Sequence, residues 1–526
     1  MHHAAPALTG PIGKMRLAFG APALLWVVGW ASLTLTLFHA RHFIYDDAYI
    51  SLRYAHNLIE HGELVWNLGE PVEGYTNFLY LLATSGLMAM GVDGETALRL
   101  INALSFGALV WLYLKGAGRL APAPDGAAAR AIGGLFLLGA TGLPLWVLGG
   151  LEAVSVGAFQ MAAILCLLPL FFGDRISLGR LALAGAFFAL AYLCRPDAVI
   201  LAGAVLTGIL FFAPLPLADR LRAASIACLV LTAFIAIHLA WRLDYYGEFL
   251  PNTYHAKVGV DRLWRLDFGF RYTLTSFVET PVLPVALVLA GLLAFRRMMT
   301  PPVAMLAFAL VCHTAYVIWA GGDHLPVARF YVPVIGLAAL LVAAALVRTS
   351  DRVSAGVIGL GLVGALLGPS WHPVPHHRGA EGGLIVGRWI DETWPEGSLI
   401  ALSVAGATPY VAADHRFVDM LGLSDKTIAR RQTFPWRTPW QERPGHAKGD
   451  GAYVLSREPD YIVIGPAFGV TADQGYYLSD VELAETPLFH RCYTREVQHF
   501  PADHPDIRAS PVDWGPMDFT YYRRIC

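Results

Sequence analysis

Apolar runs of membrane-spanning length recur along the first 369 residues, and the polar stretches between them alternate in character. A helix needs about 20 mostly apolar residues to cross a bilayer, so these runs predict spans. One set of stretches is cationic: Lys14/Arg16, Lys115/Arg119/Arg130, Arg175/Arg180, Arg220/Arg222, Arg296/Arg297 and Arg348/Arg352. Cationic loops stay cytoplasmic. The other set, residues 39–96, around 149–152, around 195–197, 243–270 and 321–327, then faces outside. A last span near 353–369 places residues 370–526 outside as well, and the layout has about eleven spans. The run from about Leu17 to Phe38 is too long for a signal-peptide core and predicts a retained first span. The run Thr76–Gly91 is short for a crossing. Were it to cross, every later loop would invert and Arg296/Arg297 would face out. It therefore predicts a re-entrant or interface-lying helix inside a long first outer loop.

From residue 370 the texture changes. Strand-like runs Ser398–Val404 and Tyr461–Ile464 are interspersed with helix-like and turn-rich pieces such as Leu384–Trp394 and Thr427–Arg431. This predicts a small α/β domain over 370–526, outside the membrane, attached to an α-helical polytopic module over 1–369.

Composition agrees with the pattern. Of 526 residues, 56% are hydrophobic and 15% charged, against about a quarter charged in soluble domains. The net charge of −2 and the lack of a basic stripe argue against a nucleic-acid partner. Cys166, Cys194, Cys228 and Cys312 lie in apolar runs without CxxC spacing and read as small buried hydrophobes. Cys492 and Cys526 lie in the polar tail and can pair in an oxidising compartment.

The chemistry gathers on the outer face. Asp46 and Asp47 follow the first span directly, and two adjacent carboxylates at a membrane edge need a proton, a cation or a basic partner. Around them lie Tyr45, Tyr49, Arg53 and Tyr54, then Trp66, Asn67, Glu73, Gly74, Tyr75, Thr76 and Asn77. Aromatic faces beside amides and carboxylates suit a sugar. A solvated pair that merely ends the helix is the plainer alternative. Glu152 stands at a helix entrance, where it serves as a cap or a site residue. In Arg195-Pro196-Asp197, Arg195 either pairs with Asp197 or meets an anion. The loop from Tyr245 to Lys257 carries Tyr246, Asn252, Tyr254, His255 and Lys257, an interfacial belt or a phosphate-binding stretch. Gly321-Gly322-Asp323-His324, with Arg329 soon after, combines close backbone approach with an acid, an imidazole and a cation.

DDAYISLRYA, GELVWNLGEPVEGYTNFLY, GLE, RPD, YYGEFLPNTYHAK, GGDH and VDMLGLSD together resemble the terminal arabinofuranosyltransferases of mycobacteria and their proteobacterial relatives, members of the GT-C superfamily of integral-membrane glycosyltransferases. The likeness runs through nearly the whole chain. It implies transfer of a sugar, arabinofuranose favoured, from a polyprenyl-phosphate donor to a glycan, lipid or protein acceptor on the outer side of the inner membrane. It also implies an acidic pair, here Asp46 and Asp47, at the chemical centre. The expected roles are Asp46 or Asp47 as base or cation-stabilising carboxylate, and Arg195, Lys257, His255 and Arg329 at the donor phosphate. Arg195 leads among these because Pro196 restrains the neighbouring backbone. Tyr49, Arg53, Trp66, Asn67, Glu73, Tyr75, Asn77, Glu152, Tyr246, Asn252, Tyr254, Asp323 and His324 are the expected sugar or acceptor contacts. No cofactor is certain; a divalent cation at Asp46, Asp47 and Asp323 is the one considered, although adjacent Asp residues seldom complete a metal site alone. Two other classes stand beside this reading. A transporter or flippase of lipid-linked sugars calls for mid-span polar residues and inverted repeats, and neither stands out. A glycan polymerase or ligase would make the Asp pair less central.

Overall fold

The computed structural model describes residues 21–526 apart from 123, 125, 140–141, 260, 372–375 and 434. Lys14, Arg16 and the first residues of the first apolar run lie outside the described residues.

The apolar runs are helices. Ala21–His39 is followed by the long first loop with its two helices, Asp46–His61 and Phe78–Ala89, and then by Gly94–Leu120. Among the described residues six helices are long and apolar enough to cross a membrane, or eight if two bent pairs each count as one span: Ala127–Gly139 with Gly142–Leu148, and Arg262–Glu279 with Val282–Phe295. The chain is a multi-pass membrane protein. Leu178–Cys194 and Pro196–Phe212 are apolar but shorter, so a count near eleven rests on adding these and Asp351–Trp371. Phe78–Ala89, the heart of the short run in the first loop, has only 12 residues; at 1.5 Å per residue it extends about 18 Å, well short of a bilayer core.

Burial separates the helices by role. Val332–Leu346 is buried along its whole length and forms the axis of the bundle. Leu217–Tyr246 exposes Leu229, Phe234 and Ile237 along its outer side, a pattern that costs nothing where the surroundings are lipid.

The tail is a five-stranded sheet with helices packed on it. Its strands are β1 (Leu399–Leu402), β2 (Arg416–Asp419), β3 (Tyr461–Ile462), β4 (Tyr493–Phe500) and β5 (Met517–Arg524). Their order is β2-β1-β3-β5-β4. β2, β1 and β3 run parallel, and β5 joins β3 and β4 antiparallel. Cys492 and Cys526 form a disulfide joining the start of β4 to the chain end after β5. The other four cysteines are free thiols.

Candidate active site

The Asp46–His61 helix borders two surfaces, divided by which way each of its side chains points. One surface is a seam with the tail. Both Asp46 oxygens accept backbone N–H groups at the start of the short helix Ala407–Val411 that follows β1, from Gly406 at 3.1 Å and Ala407 at 2.9 Å. Gly406 is required there, because a Cβ would collide with the Asp46 carbonyl. Burial lifts the Asp46 carboxyl to about 7, against the lowering effect of the Ala407 amide; Asp47 beside it adds to the rise. Arg53 donates to the carbonyls of Trp66 (2.6 Å), His415 (2.9 Å) and Pro409, and its guanidinium stacks over Phe417. Asn67 matches the Phe417 backbone with both amide groups, donating at 2.8 Å and accepting at 3.1 Å. Trp66 donates its indole N–H to Ala405. Asn252 donates to the carbonyls of Gly422 and Leu423, each at 2.9 Å, and holds the Val418–Asp425 loop against the membrane module. Gly74 lets that loop approach, since a Cβ would strike Ser424 Oγ.

The other surface is a cavity with about 100 Å³ of room for solvent, lined by Asp47, Ser51, Tyr75, Thr76, Asn77, Glu152, Arg195, Thr253, Lys257, Arg329, Phe330 and the tail's Leu423 among others. Five of the motif loops and the tail meet there. Asp47 accepts no hydrogen bond from any described residue. Burial raises its carboxyl above the usual carboxylate range, Arg329 and Lys257 pull it back, and Asp323 and Glu152 push it further up. Lys257 likewise makes no hydrogen bond or ion pair with a described residue; burial and then Arg329 lower its ammonium, against the carboxylates Asp323 and Asp47. Arg329 binds Asp323 Oδ2 through Nε at 2.6 Å, which leaves its two outer nitrogens without a described hydrogen-bond partner.

The backbone that delivers Arg329 is strained. Val327 and Ala328 take positive φ of 58° and 51°, a conformation that costs about 1–3 kcal/mol per residue without a Gly. The Trp146 indole holds the Val327 carbonyl at 3.2 Å, which fixes the turn and aims the arginine at the cavity.

Arg195 is the contrasting case. Its fork grips Asp197 at 3.0 and 2.7 Å, Nη1 reaches Glu152 at 3.4 Å, and its plane stacks on Phe330. The pairing alternative therefore describes its surroundings, although it still lines the cavity. Asp323 pairs with Arg329, and His324 lies beside it with its imidazole pushed well below its usual range by burial and by His446, Lys257 and Arg329.

Other expected contacts lie elsewhere. Tyr49 donates to Glu95 at 2.5 Å. Glu73 forms a buried ion pair with Arg242 at 2.6 Å. Tyr246 donates to the Leu64 carbonyl and contacts Tyr75, which does line the cavity. Tyr254 is exposed, and His255 is half-buried outside the cavity lining. Among the described residues no group of three or more His, Cys, Asp or Glu side chains is placed to hold a metal ion; the two Asp46 oxygens considered for one are taken by amides. Ser51, Thr253, Phe330 and Leu423 carried no signal of their own in the sequence beyond lying in or beside the motif loops.

A family model described as a domain of unknown function, DUF8728, matches residues 376–509, most of the tail. A curated relative, the terminal beta-(1->2)-arabinofuranosyltransferase of Corynebacterium glutamicum, is 26% identical over 380 residues, covering 64% of this chain and 52% of its own. The chain thus spans about half the length of that relative. Among solved structures, the oligosaccharyltransferase AglB of Archaeoglobus fulgidus, in complex with an inhibitory peptide and a dolichol-phosphate, superposes with a TM-score of 0.52 at 12% identity, over 74% of this chain and 63% of that one. ArnT of Cupriavidus metallidurans in the apo state covers 95% of this chain and 96% of its own, at 16% identity and a TM-score of 0.49. The chain's structural neighbours are GT-C glycosyltransferases, and the sequence resemblance and the fold point the same way.

Proposed function

We propose that this protein is a membrane glycosyltransferase that moves a sugar, arabinofuranose favoured, from a polyprenyl-phosphate donor to an acceptor hydroxyl at the outer face of the inner membrane. The observation that carries the reading is the cavity itself, where one carboxylate without a hydrogen bond, Asp47, faces two cations with N–H groups to spare, Lys257 and Arg329. The donor's phosphate meets Lys257 as a point charge and the outer nitrogens of Arg329 as a fork. Asp47 takes the proton of the acceptor hydroxyl as its oxygen bonds to the anomeric carbon. The bond from that carbon to phosphate breaks, and the charge gained by the phosphate is met by the two cations. Tyr75 and Asn77 line the same cavity, Asn77 with its amide bonded to Ser51 Oγ at 3.0 Å, and this reading gives the Tyr75 ring to the sugar. The arabinofuranose preference comes from the Corynebacterium relative, and the lipid-phosphate donor agrees with the dolichol-phosphate in the AglB complex. In this reading residues 39–96 and 370–526 lie on the periplasmic side and residues 1–369 hold about eleven spans.

The test is transfer in proteoliposomes from synthetic polyprenyl-phosphoarabinofuranose to an arabinofuranosyl acceptor, with the product's linkage read by mass spectrometry and NMR. A new glycosidic bond formed by the wild type and not by Asp47→Asn is the expected result. Movement of labelled donor across the bilayer with no new bond would mark a transporter and overturn the proposal.

A further inference from the structure

A line of rings leads from the cavity rim onto the surface of the tail. Lys257 lines the cavity, and a Cβ on the tail's Gly445 would sit 3.6 Å from its Cε, so the tail packs against that lysine at Gly445. The next residue, His446, meets His324 edge to face with centroids 4.6 Å apart. Its ring lies parallel to Tyr477 at 5.8 Å. Tyr477 touches Trp440 at 6.1 Å and Tyr476 at 6.3 Å, and these two stack on each other at 5.4 Å. Arg443, exposed, lies flat over Trp440 at 3.9 Å. Trp440 and Tyr476 are only half-buried.

The platform is rigid before any ligand arrives. Gln441 is fully buried and staples its own segment, its Oε1 accepting the N–H groups of Arg437 (2.7 Å) and Thr438 (3.1 Å) while its Nε2 donates to Ala447 (3.1 Å). Lys448 Nζ donates to the Arg431 carbonyl at 2.7 Å and Thr433 to Ala447 at 2.6 Å. Ordering entropy is thus already spent, as a binding surface requires. Half-buried aromatic rings beside a guanidinium whose N–H groups bond no described residue are the chemistry that packs on the C–H face of a sugar and bonds its hydroxyls.

We infer that Trp440, Tyr476 and Arg443 form a glycan subsite that holds acceptor sugar units distal to the reacting hydroxyl, with His446 and Tyr477 marking the way to the cavity. The inference rests on the glycosyltransferase reading. It makes acceptor recognition depend on chain length: an acceptor of several sugar units reaches the subsite, and a single-unit glycoside fills only the cavity.

The experiment measures transfer by the full-length protein in nanodiscs, using a synthetic linear hexa-arabinofuranoside and a mono-arabinofuranosyl octyl glycoside as acceptors. For Trp440→Ala, Tyr476→Ala and Arg443→Ala, acceptor KM for the hexasaccharide should rise about 5- to 50-fold, the size expected for loss of a sugar-stacking ring. KM for the monosaccharide glycoside and for the donor should stay at wild-type values, which also verifies that the variants fold. Three separate variants guard against one that does not fold. An unchanged hexasaccharide KM in all the folded variants overturns the subsite alone, as does a wild type with equal KM for both acceptors. No transfer by the wild type to either acceptor overturns the glycosyltransferase reading and this subsite with it.

Discussion

The seam and the cavity share the Asp46–His61 helix, and they treat their central polar side chains in opposite ways. At the seam, Asp46, Arg53, Asn67 and Asn252 spend their hydrogen-bonding groups on backbone amides and carbonyls of the tail. At the cavity, Asp47, Lys257 and the outer nitrogens of Arg329 are bound to no described side chain or backbone group. The dividing line falls between two consecutive residues. Successive side chains on a helix point about 100° apart, so Asp46 turns to the tail and Asp47 to the cavity. A buried polar group with all its partners makes structure; one left open toward solvent is available for a ligand.

The largest effect that can break this division is on the aspartates. Asp47→Asn should lower the rate of transfer by roughly 100- to 10,000-fold, as loss of a general base does, with an unchanged melting temperature. Asp46→Asn should do the reverse. An amide has one acceptor where the carboxylate presents two, and it sets an NH₂ against a backbone N–H. That should destabilise the protein by about 1–3 kcal/mol while much of the rate survives below its melting point. Thermal unfolding and single-turnover rates on both variants decide the matter, and equal losses of rate with equal stability would erase the distinction.

The cations offer the next test. Lys257→Ala and Arg329→Ala should each raise the donor KM by about 10- to 100-fold, the worth of a charge-assisted hydrogen bond. Arg195→Ala should instead leave the buried Glu152 and the half-buried Asp197 without their cation, Asp197 keeping only the Tyr316 hydroxyl, and show itself as low yield and low melting temperature. Should Arg195→Ala fold normally and lose donor affinity, the phosphate site includes it after all.

The smallest effect is on pH dependence. Asp47 must be ionised to accept a proton, so activity falls as pH drops through its pKa, which burial has raised and Arg329 and Lys257 restrain. Removing a restraining cation lifts that pKa further. The acid limb of kcat/KM should therefore move to higher pH in Lys257→Met. A limb that stays put would separate Lys257 from Asp47.

Much of this architecture was legible in the chain. The apolar runs and the short run in the first loop follow from composition and length, and the helices stand where they predict. The motif loops were also legible as a set, since Asp47, Tyr75, Asn77, Glu152, Arg195, Lys257 and Arg329 all line one cavity. What the sequence leaves open is the division of labour within each motif. Asp46 and Asp47 are equivalent on paper, and only Gly406 and Ala407, some 360 positions later, tell them apart. Tyr49, Glu73 and Tyr246 read as sugar contacts because aromatic and acidic residues crowd the loop, yet local packing against Glu95, Arg242 and Leu64 uses them up. The ring path through His446 and Trp440 is invisible in sequence for the same reason, as its members gain meaning only from the docking of distant segments.

The grip of Asp46 on the Gly406–Ala407 turn also bears on how such proteins can be rebuilt. A cut at the apparent border near residue 370 would separate a carboxylate, a guanidinium and an asparagine amide from the groups they were shaped to meet. The unit to be exchanged between relatives as one piece is therefore discontinuous: the tail together with residues 46–77, some three hundred positions upstream, and the loop that carries Asn252. A chimera that exchanges the tail alone inherits a mismatched joint, and since residue 46 leans on that joint, the error reaches residue 47 one peptide bond away. Recombination in this fold has to carry both halves of the hinge or leave both behind.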